Sequence, residues 1–485
     1  MDIFVIFMPM LLALFVFSIF YKNRDSKVPK YVALVLFVGL LFYSFDLYNL
    51  TKISSNLDGN FLFLGEYLKV ERFGYNLTLQ VDQLSSIMLI LTSALLILIT
   101  LSSWTTKNST AYFSLLLFFS GAIFAVFLTT NLLWFFVFWE VTLVPLYFLV
   151  GIWGAERRIY ASVKFFLYTH FASMLILFAF FLIYNQTGTF EITEIKEIAI
   201  GTPILIWWLM FIGFAVKLPS FPFHTWLPDA HVEAPAPISV LLAGILLKMG
   251  AYALIRFLIL MMPETSALNS DYILMFGLVT LLFAGTLAIY QTHIKKMVAY
   301  SSISHMGLVI IAISTMSFNG LSSALFEMIA HAFVISPLFL IAGFLHHKAK
   351  SWEMPDYGGL MQKAPFLSAI FVLAGLSALG LPATIGFIGE LSVLITAIES
   401  HGFWLGIIAV GSIISATYII RGFRKVIYGE ISELVQKTEF KMHLIEVFAL
   451  TLFAIFIIIF GIYPQPIFDA TNGAFEYFQQ IGGLK

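Results

Sequence analysis

Cysteine is absent from all 485 residues, which excludes disulfides and cysteine-ligated iron–sulfur clusters. Charge is nearly as scarce: 11% of residues are Asp, Glu, Lys or Arg, where soluble domains carry about 25%. No GxGxxG or P-loop pattern follows a strand-like run, so nucleotide and flavin sites have no support. The first residues carry no basic stretch and no small-residue cleavage site, and residues 3–21 read as a retained helix rather than a signal peptide. Long polar segments are missing too. The longest gap between apolar runs, residues 51–82, is itself rich in Phe and Leu, leaving no room for a separate soluble domain.

What remains is hydrophobic: 60% of the residues, with a mean hydropathy of +0.95. Apolar segments recur at about 3–21, 31–50, 84–103, 111–129, 132–153, 163–184, 203–223, 237–261, 272–290, 299–316, 322–345, 365–398, 402–420 and 443–462. Each suits a helix of about 20 residues crossing ~30 Å of hydrocarbon, and none alternates as an outer-membrane barrel strand would. The expectation is an all-α polytopic membrane protein with about fourteen transmembrane helices.

Charge asymmetry supports that count. With the N-terminus outside, one set of loops holds eighteen basic residues: Lys22, Arg24, Lys27, Lys30, Lys107, Arg157, Arg158, Lys164, Lys295, Lys296, Lys348, Lys350, Lys363, Arg421, Arg424, Lys425, Lys437 and Lys441. The other set has five, namely Lys52, Lys69, Arg72, Lys196 and Lys485. The positive-inside rule then places both termini on the outer side.

Three basic residues are left inside spans: Lys217, Lys248 and Arg256. A charge at a helix centre costs roughly 2.5–3.5 kcal/mol on insertion scales, so such residues are functional candidates. Lys217 stands shortly before Pro219 and Pro222, which break its helix; a break at membrane depth survives only where protein or a polar cavity surrounds it. Lys248 lies about 16 Å into its helix at 1.5 Å per residue and has no carboxylate nearby in sequence. Arg256, two turns further on and close to its helix end, reads as a snorkelling residue. Among the acids, Glu140 is mid-span and Glu390 follows a second break at Gly380-Leu381-Pro382-Ala383-Thr384. Glu327 and His331 are four residues apart and share a helix face, and His170 and His305 add titratable groups at membrane depth. His346-His347 beside Lys348 reads as a solvated loop.

The two broken segments lie ~160 residues apart, with five spans from the start of one unit to the start of its counterpart. Paired broken helices point to an inverted-repeat transporter with its site at the midplane. The expected organisation is residues 1–110 as N-terminal helices and an outward loop, 111–261 and 272–428 as two inverted five-helix repeats, and 443–485 as a last helix and tail. A lysine and a glutamate within ~4 Å, at an effective dielectric near 20, gain about 4 kcal/mol. Moving Glu140 relative to Lys217 could therefore switch the lysine's proton on or off.

These residues resemble the antiporter-like membrane subunits of the respiratory NADH:quinone oxidoreductase, complex I, and among them the subunit M or chain 4 family. The resemblance rests on Phe138-Trp139-Glu140-Val141-Thr142-Leu143-Val144-Pro145, on Lys164-Phe165-Phe166-Leu167-Tyr168-Thr169, and on Phe214-Ala215-Val216-Lys217. It continues through Phe221-Pro222-Phe223-His224-Thr225-Trp226-Leu227-Pro228-Asp229-Ala230-His231-Val232-Glu233-Ala234-Pro235 and Tyr300-Ser301-Ser302-Ile303-Ser304-His305-Met306-Gly307. It implies the fourteen-helix inverted-repeat fold and one proton channel. Glu140 and Lys217 match the family's modulating pair, Lys248 its central relay lysine, and Glu390 the terminal acid of subunit M. His305, His331, Glu327 and His224 are further relay positions, and Pro219, Pro222 and Pro382 the hinges of the broken helices. There are three departures from the family pattern: Pro237-Ile238 for Ala-Gly, Ala383 for glycine, and Glu327 for Gln.

The resemblance further implies a bacterial inner-membrane location and sibling antiporter-like subunits as partners within the bilayer. No metal, cofactor or nucleic acid is expected in this chain; NADH, flavin, iron–sulfur clusters and quinone would belong to partner subunits. The alternatives are a sodium/proton antiporter subunit, a membrane-bound hydrogenase arm, or a non-conducting membrane scaffold.

Overall fold

The computed structural model of the chain describes residues 2–54, 61–67, 76–195, 203–476 and 479. Lys69, Arg72, Lys196 and Lys485, counted above in the sparse set of loops, lie outside them. The chain opens with α1 (Ile3–Phe20) and α2 (Val28–Ser54), then an antiparallel hairpin of β1 (Leu62–Tyr67) and β2 (Leu77–Val81). Next come α3 (Gln83–Ser102), α4 (Ser109–Leu128), α5 (Leu132–Val141), α6 (Leu143–Trp153), α7 (Arg158–Thr187), the short α8 (Ile192–Ile195) and α9 (Pro203–Lys217). After the first break lie α10 (Trp226–Glu233), α11 (Ala236–Leu241), α12 (Leu247–Ala253) and α13 (Pro263–Leu268). The remainder is α14 (Ser270–Tyr290), α15 (Ile294–Ser314), α16 (Phe318–Ala349), α17 (Leu360–Lys363), α18 (Pro365–Ala378), α19 (Ile385–His401), α20 (Leu405–Val426), α21 (Glu433–Lys437), α22 (Leu444–Ile462) and α23 (Gln465–Gly473).

This is a multi-pass membrane protein. Among the described residues, twelve helices are long and apolar enough to cross a bilayer, or thirteen if the pair Met354–Lys363 and Pro365–Ala378, bent by 118°, is one span. Length and composition thus give fewer crossings than the expected fourteen. The reason is local: each break cuts its segment into pieces too short to qualify, α9 on one side of the molecule's sequence and α18 and α19 on the other.

Packing divides the chain into two compact units. One comprises Met1–Lys217, Tyr252–Leu268 and Gly473–Lys485; the other comprises Leu218–Ala251 and Asn269–Asn472. One of the boundaries falls at the first break, between Lys217 and Leu218. In the first unit α1 packs on α4, α2 on α3, and α7 on both α6 and α9. In the second, α16 is the central rod and packs against α11, α15, α18, α19 and α22. Its face is apolar nearly all round, with Glu327 and His331 the titratable exceptions in its buried stretch. All-round apolarity is what a helix surrounded by other helices requires.

Both breaks are held by glycines of neighbouring helices. A Cβ on Gly250 would stand 2.6 Å from the amide nitrogen of Leu218, and one on Gly461 only 2.3 Å from the Cα of Thr384. Any larger residue would push the broken backbone out of place. Within the second break Gly380 has φ +80° and Ala383 has φ +70°. The second value explains why glycine suits that position: a Cβ in left-handed backbone costs roughly 1–2 kcal/mol. Ala383→Gly is therefore expected to stabilise the protein by about 1 kcal/mol, read as a higher melting temperature in detergent. An unchanged or lower melting temperature would contradict this account.

Candidate functional site

In the first unit, Lys217 is the last residue of α9, where the chain loses its helical hydrogen bonds. It is 1% exposed, and its ammonium has no hydrogen-bond partner among the described residues. It sits over the ring of Trp139, 4.8 Å from the centroid. A cation on an indole face gains about 0.5–2 kcal/mol, well short of a full solvation shell. Trp139 is fixed by its own N–H, which donates to Ser173 Oγ at 3.2 Å. Glu140, the next residue on α5, makes no ion pair with Lys217. Its Oε2 is bonded to His170 Nδ1 on α7, and its Oε1 has no partner. The carboxylate leans outward to a histidine whose side chain is 42% exposed.

Arg256 departs from the expectation. It does not snorkel; it is 3% exposed and grips Asp82 through both terminal nitrogens, at 2.7 and 2.6 Å. Ser85 Oγ at 3.1 Å and the Tyr252 hydroxyl at 3.3 Å accept two more of its hydrogens. Asp82 also caps α3 by accepting the Ser85 amide at 2.9 Å. Asp82 before an apolar run is a legible cap signal, but no sequence spacing links it to a residue 174 positions away.

In the second unit the remaining titratable residues form a series. Lys248 is fully buried and lies between two π-helical stretches, Leu242–Leu246 and Leu254–Ile259. The wider π turn leaves the Ala243 carbonyl free, and Lys248 Nζ donates to it at 2.6 Å. Such bulges recur at functional sites because they release backbone groups without ending the helix. The same ammonium reaches His331 Nδ1 on α16 at 2.6 Å. The rings of His331 and His305 are 5.7 Å apart, centre to centre. His305 Nδ1 lies 3.3 Å from Glu327 Oε1 and 3.6 Å from Glu390 Oε1. Glu390, one turn into α19, turns its carboxylate back over the break at Gly380, whose missing Cβ leaves the room for it.

Among the described residues, four polar atoms in this series have no hydrogen-bond partner: His331 Nε2, His305 Nε2, Glu327 Oε2 and Glu390 Oε1. Beside them is a small cavity of about 10 Å³, lined by His305, Glu327, His331, Ser377 and Gly386 among others. That is near the minimum that holds one water. Buried polar groups of this kind are costly unless water or a mobile proton satisfies them.

Of the other sequence candidates, His224 is 5% exposed, with its ring against Phe221 and Phe283 rather than beside the lysine–histidine series. Pro219 and Pro222 lie between α9 and α10, and Pro382 between α18 and α19. His346 and His347 do not form a solvated loop. They are the last turn of α16, and His346 stacks on Trp352 at 3.8 Å. Lys295, counted above as a loop residue, is 1% exposed and holds the carbonyls of Val232 and Ala234, the C-terminal end of α10. A cation there satisfies the open end of a helix, which explains its burial.

Residues 129–415 match the family described as "NADH:quinone oxidoreductase/Mrp antiporter, TM". The chain is 36% identical over 478 residues to the NADH-quinone oxidoreductase subunit M of Rickettsia prowazekii strain Madrid E, covering 97% of each. In fold it resembles a chain of the respiratory complex I from Thermus thermophilus with bound NADH, with a TM-score of 0.86, 22% identity and 99% of both chains covered. It also resembles a chain of the Mrp complex from Dietzia sp. DQ12-45-1b, with a TM-score of 0.89, 18% identity, and 99% and 98% covered. The two structural likenesses speak to the fold alone. Identity above a third along nearly the whole length goes further, and with the matched family it shows that the chain belongs to the NADH-quinone oxidoreductase subunit M family.

Proposed function

We propose that this chain is a proton-translocating membrane-arm subunit of NADH:quinone oxidoreductase. The observation that carries the reading is the buried series Lys248–His331–His305–Glu390: Lys248 Nζ is 2.6 Å from His331 Nδ1, the two histidine rings are 5.7 Å apart centre to centre, and His305 Nδ1 is 3.6 Å from Glu390 Oε1. Groups of that kind pass protons by exchange; they offer no pocket for a solute. Protons would approach around the Lys217 break from the side of the basic loops, pass by Lys248, and leave from Glu390 on the opposite side. Glu140 would bias Lys217 through space, by exchanging its present His170 bond for a closer approach to the lysine. A 4 kcal/mol change in that interaction, the size expected on closing to ~4 Å, exceeds the roughly 2.3 kcal/mol that one charge costs per 100 mV of membrane potential.

NADH oxidation, flavin, iron–sulfur clusters and quinone belong in this reading to partner subunits, and sibling antiporter-like subunits adjoin this chain in the bilayer. The basic-loop asymmetry supports an inner-membrane orientation with both termini outside. Sodium is the alternative ion, and a scaffold without conduction the alternative role.

Glu390→Gln in the assembled complex is the test. NADH-driven acidification of inverted membrane vesicles is expected to fall about tenfold or more, the low end of what a proton-transfer group contributes. The parental complex is expected to pump equally well without sodium. Full pumping by the Gln variant would remove Glu390 from the relay, and a strict sodium requirement would replace proton transfer with antiport.

A further inference from the structure

Glu327 is the one acid of the buried series that the steps above do not use. It lies on α16, is 2% exposed, and turns its carboxylate toward α15 and α19. α19 receives it at Gly389, where a Cβ would overlap Glu327 Oε2. The next residue is Glu390, whose own carboxylate uses the room left by Gly380; a Cβ there would stand 3.0 Å from Glu390 Oε2. Two carboxylates thus enter one buried site, each seated against a glycine.

A single ring nitrogen stands between them. His305 Nδ1 is 3.3 Å from Glu327 Oε1 and 3.6 Å from Glu390 Oε1, which puts these two oxygens within about 7 Å of each other. A ring nitrogen carries at most one hydrogen and so serves one carboxylate at a time. The hydrogen bond goes to Glu327, while Glu390 Oε1 has no hydrogen-bond partner among the described residues. The other titratable groups facing the cluster are Lys248 of α12, His331 of α16 and the Tyr418 hydroxyl of α20, with His231 of α10 acting on His331. α18 carries none, α22 only Glu446 in its first turn, and α14 only residues at its ends. Two like charges at that separation, at an effective dielectric near 20, oppose each other's ionisation by about fiftyfold. Buried carboxylates this close share a proton rather than ionise together, and groups so coupled titrate as a unit.

We infer that Glu327 is a positioning residue for the proton at the outer end of the series: with Glu390 and His305 it forms one unit in which the charge of one carboxylate holds the proton on the other. The inference rests on the proton-relay reading of Glu390. Glu327 keeps the His305 N–H, and Glu390 keeps the shared proton until the ring gains a second one. A proton arriving at the free Nε2 of His305 makes the ring a cation, and Glu390 then gives its proton to water. One proton enters, one leaves, and no other reactant is needed. Glutamine at position 327, the usual residue of the family, would accept the same N–H with its carbonyl oxygen but bring no charge. The shared proton is therefore a property of this chain's departure from that pattern.

Glu327→Gln is compared with the parent and with Glu390→Gln in inverted vesicles of the assembled complex, from acid to alkaline pH. Pumping is normalised to NADH oxidation, and complex content is followed as NADH:ferricyanide activity. Without its anionic neighbour the unit loads its proton only at lower pH. The alkaline fall in protons pumped per NADH is expected about 1–2 pH units below the parent's, at normal content and with near-parental pumping on the acid side. A profile that coincides with the parent's or moves to higher pH, while Glu390→Gln stops pumping, overturns the inference and leaves the relay standing. Full pumping by Glu390→Gln means that the relay reading itself has failed. Loss of pumping by Glu327→Gln at every pH makes the residue a carrier in its own right, and loss of assembly makes it structural; either result overturns the inference.

Discussion

A complex carrying Lys217→Met is expected to assemble to parental levels and to lose NADH-driven proton pumping by about tenfold or more. The two halves of this expectation have one cause. Lys217 is buried at the end of α9 with no hydrogen bond to its ammonium and only the face of Trp139 beneath it. Taking an ammonium out of water costs several kcal/mol, and replacing an under-compensated buried charge by an apolar side chain of similar volume is commonly neutral or stabilising. The charge therefore weakens the folded state at this site, and removing it spares assembly. What it removes, in the function proposed above, is the group whose proton Glu140 would bias. Pumping per NADH in inverted vesicles, at matched complex content, is the measurement. Undiminished pumping would show that Lys217 is a tolerated burial rather than a working group. Loss of assembly would show that its charge has a structural partner.

Arg256 is expected to behave in the opposite way. Arg256→Met should destabilise the protein by about 3–5 kcal/mol, because it strands the Asp82 carboxylate in a site built for a bidentate guanidinium. Since whole domains are stable by only 5–15 kcal/mol, such a loss is expected to lower the level of assembled complex severalfold. The paired change Asp82→Leu with Arg256→Met removes both charges and should recover most of the loss, although α3 then lacks its cap, worth about 1 kcal/mol. Complex content on native gels and melting temperature in detergent measure both variants. A double variant as damaged as the single one would mean that packing of the guanidinium, not its charge, is what matters there. Proton pumping per assembled complex is expected to stay near parental in the double variant, which separates this buried cation from Lys217 and Lys248.

Three cations inside spans thus have three fates, and the difference between them is not written in their local sequence. Lys217, Lys248 and Arg256 each interrupt an apolar run, and the insertion cost marks all three equally. Arg256 finds a carboxylate 174 residues back in the chain, Lys248 finds a histidine 83 residues ahead, and Lys217 finds an indole. Glu140 shows the same limit from the acid side. Its depth was legible, but its bond to His170 depends on how α5 packs against α7.

Membrane character, the positions of nearly all the helices, both breaks and the small set of buried charges could be read directly from residue order. Those properties are local or compositional: apolar runs of a length set by the bilayer, prolines that stop helices, and charges that have no reason to be in hydrocarbon unless they are used. Ala383 stands out only against the usual glycine of the family the chain resembles, and its left-handed backbone supplies the reason. Partnership was not visible. The π turns that free the Ala243 carbonyl, the turn of Glu140 toward His170, the burial of Lys295 at the end of α10 and the two carboxylates beside His305 all depend on which helices lie side by side. Helix packing brings together residues from 30 to 174 positions apart, and a one-dimensional pattern records the cost of a buried charge without recording what offsets it.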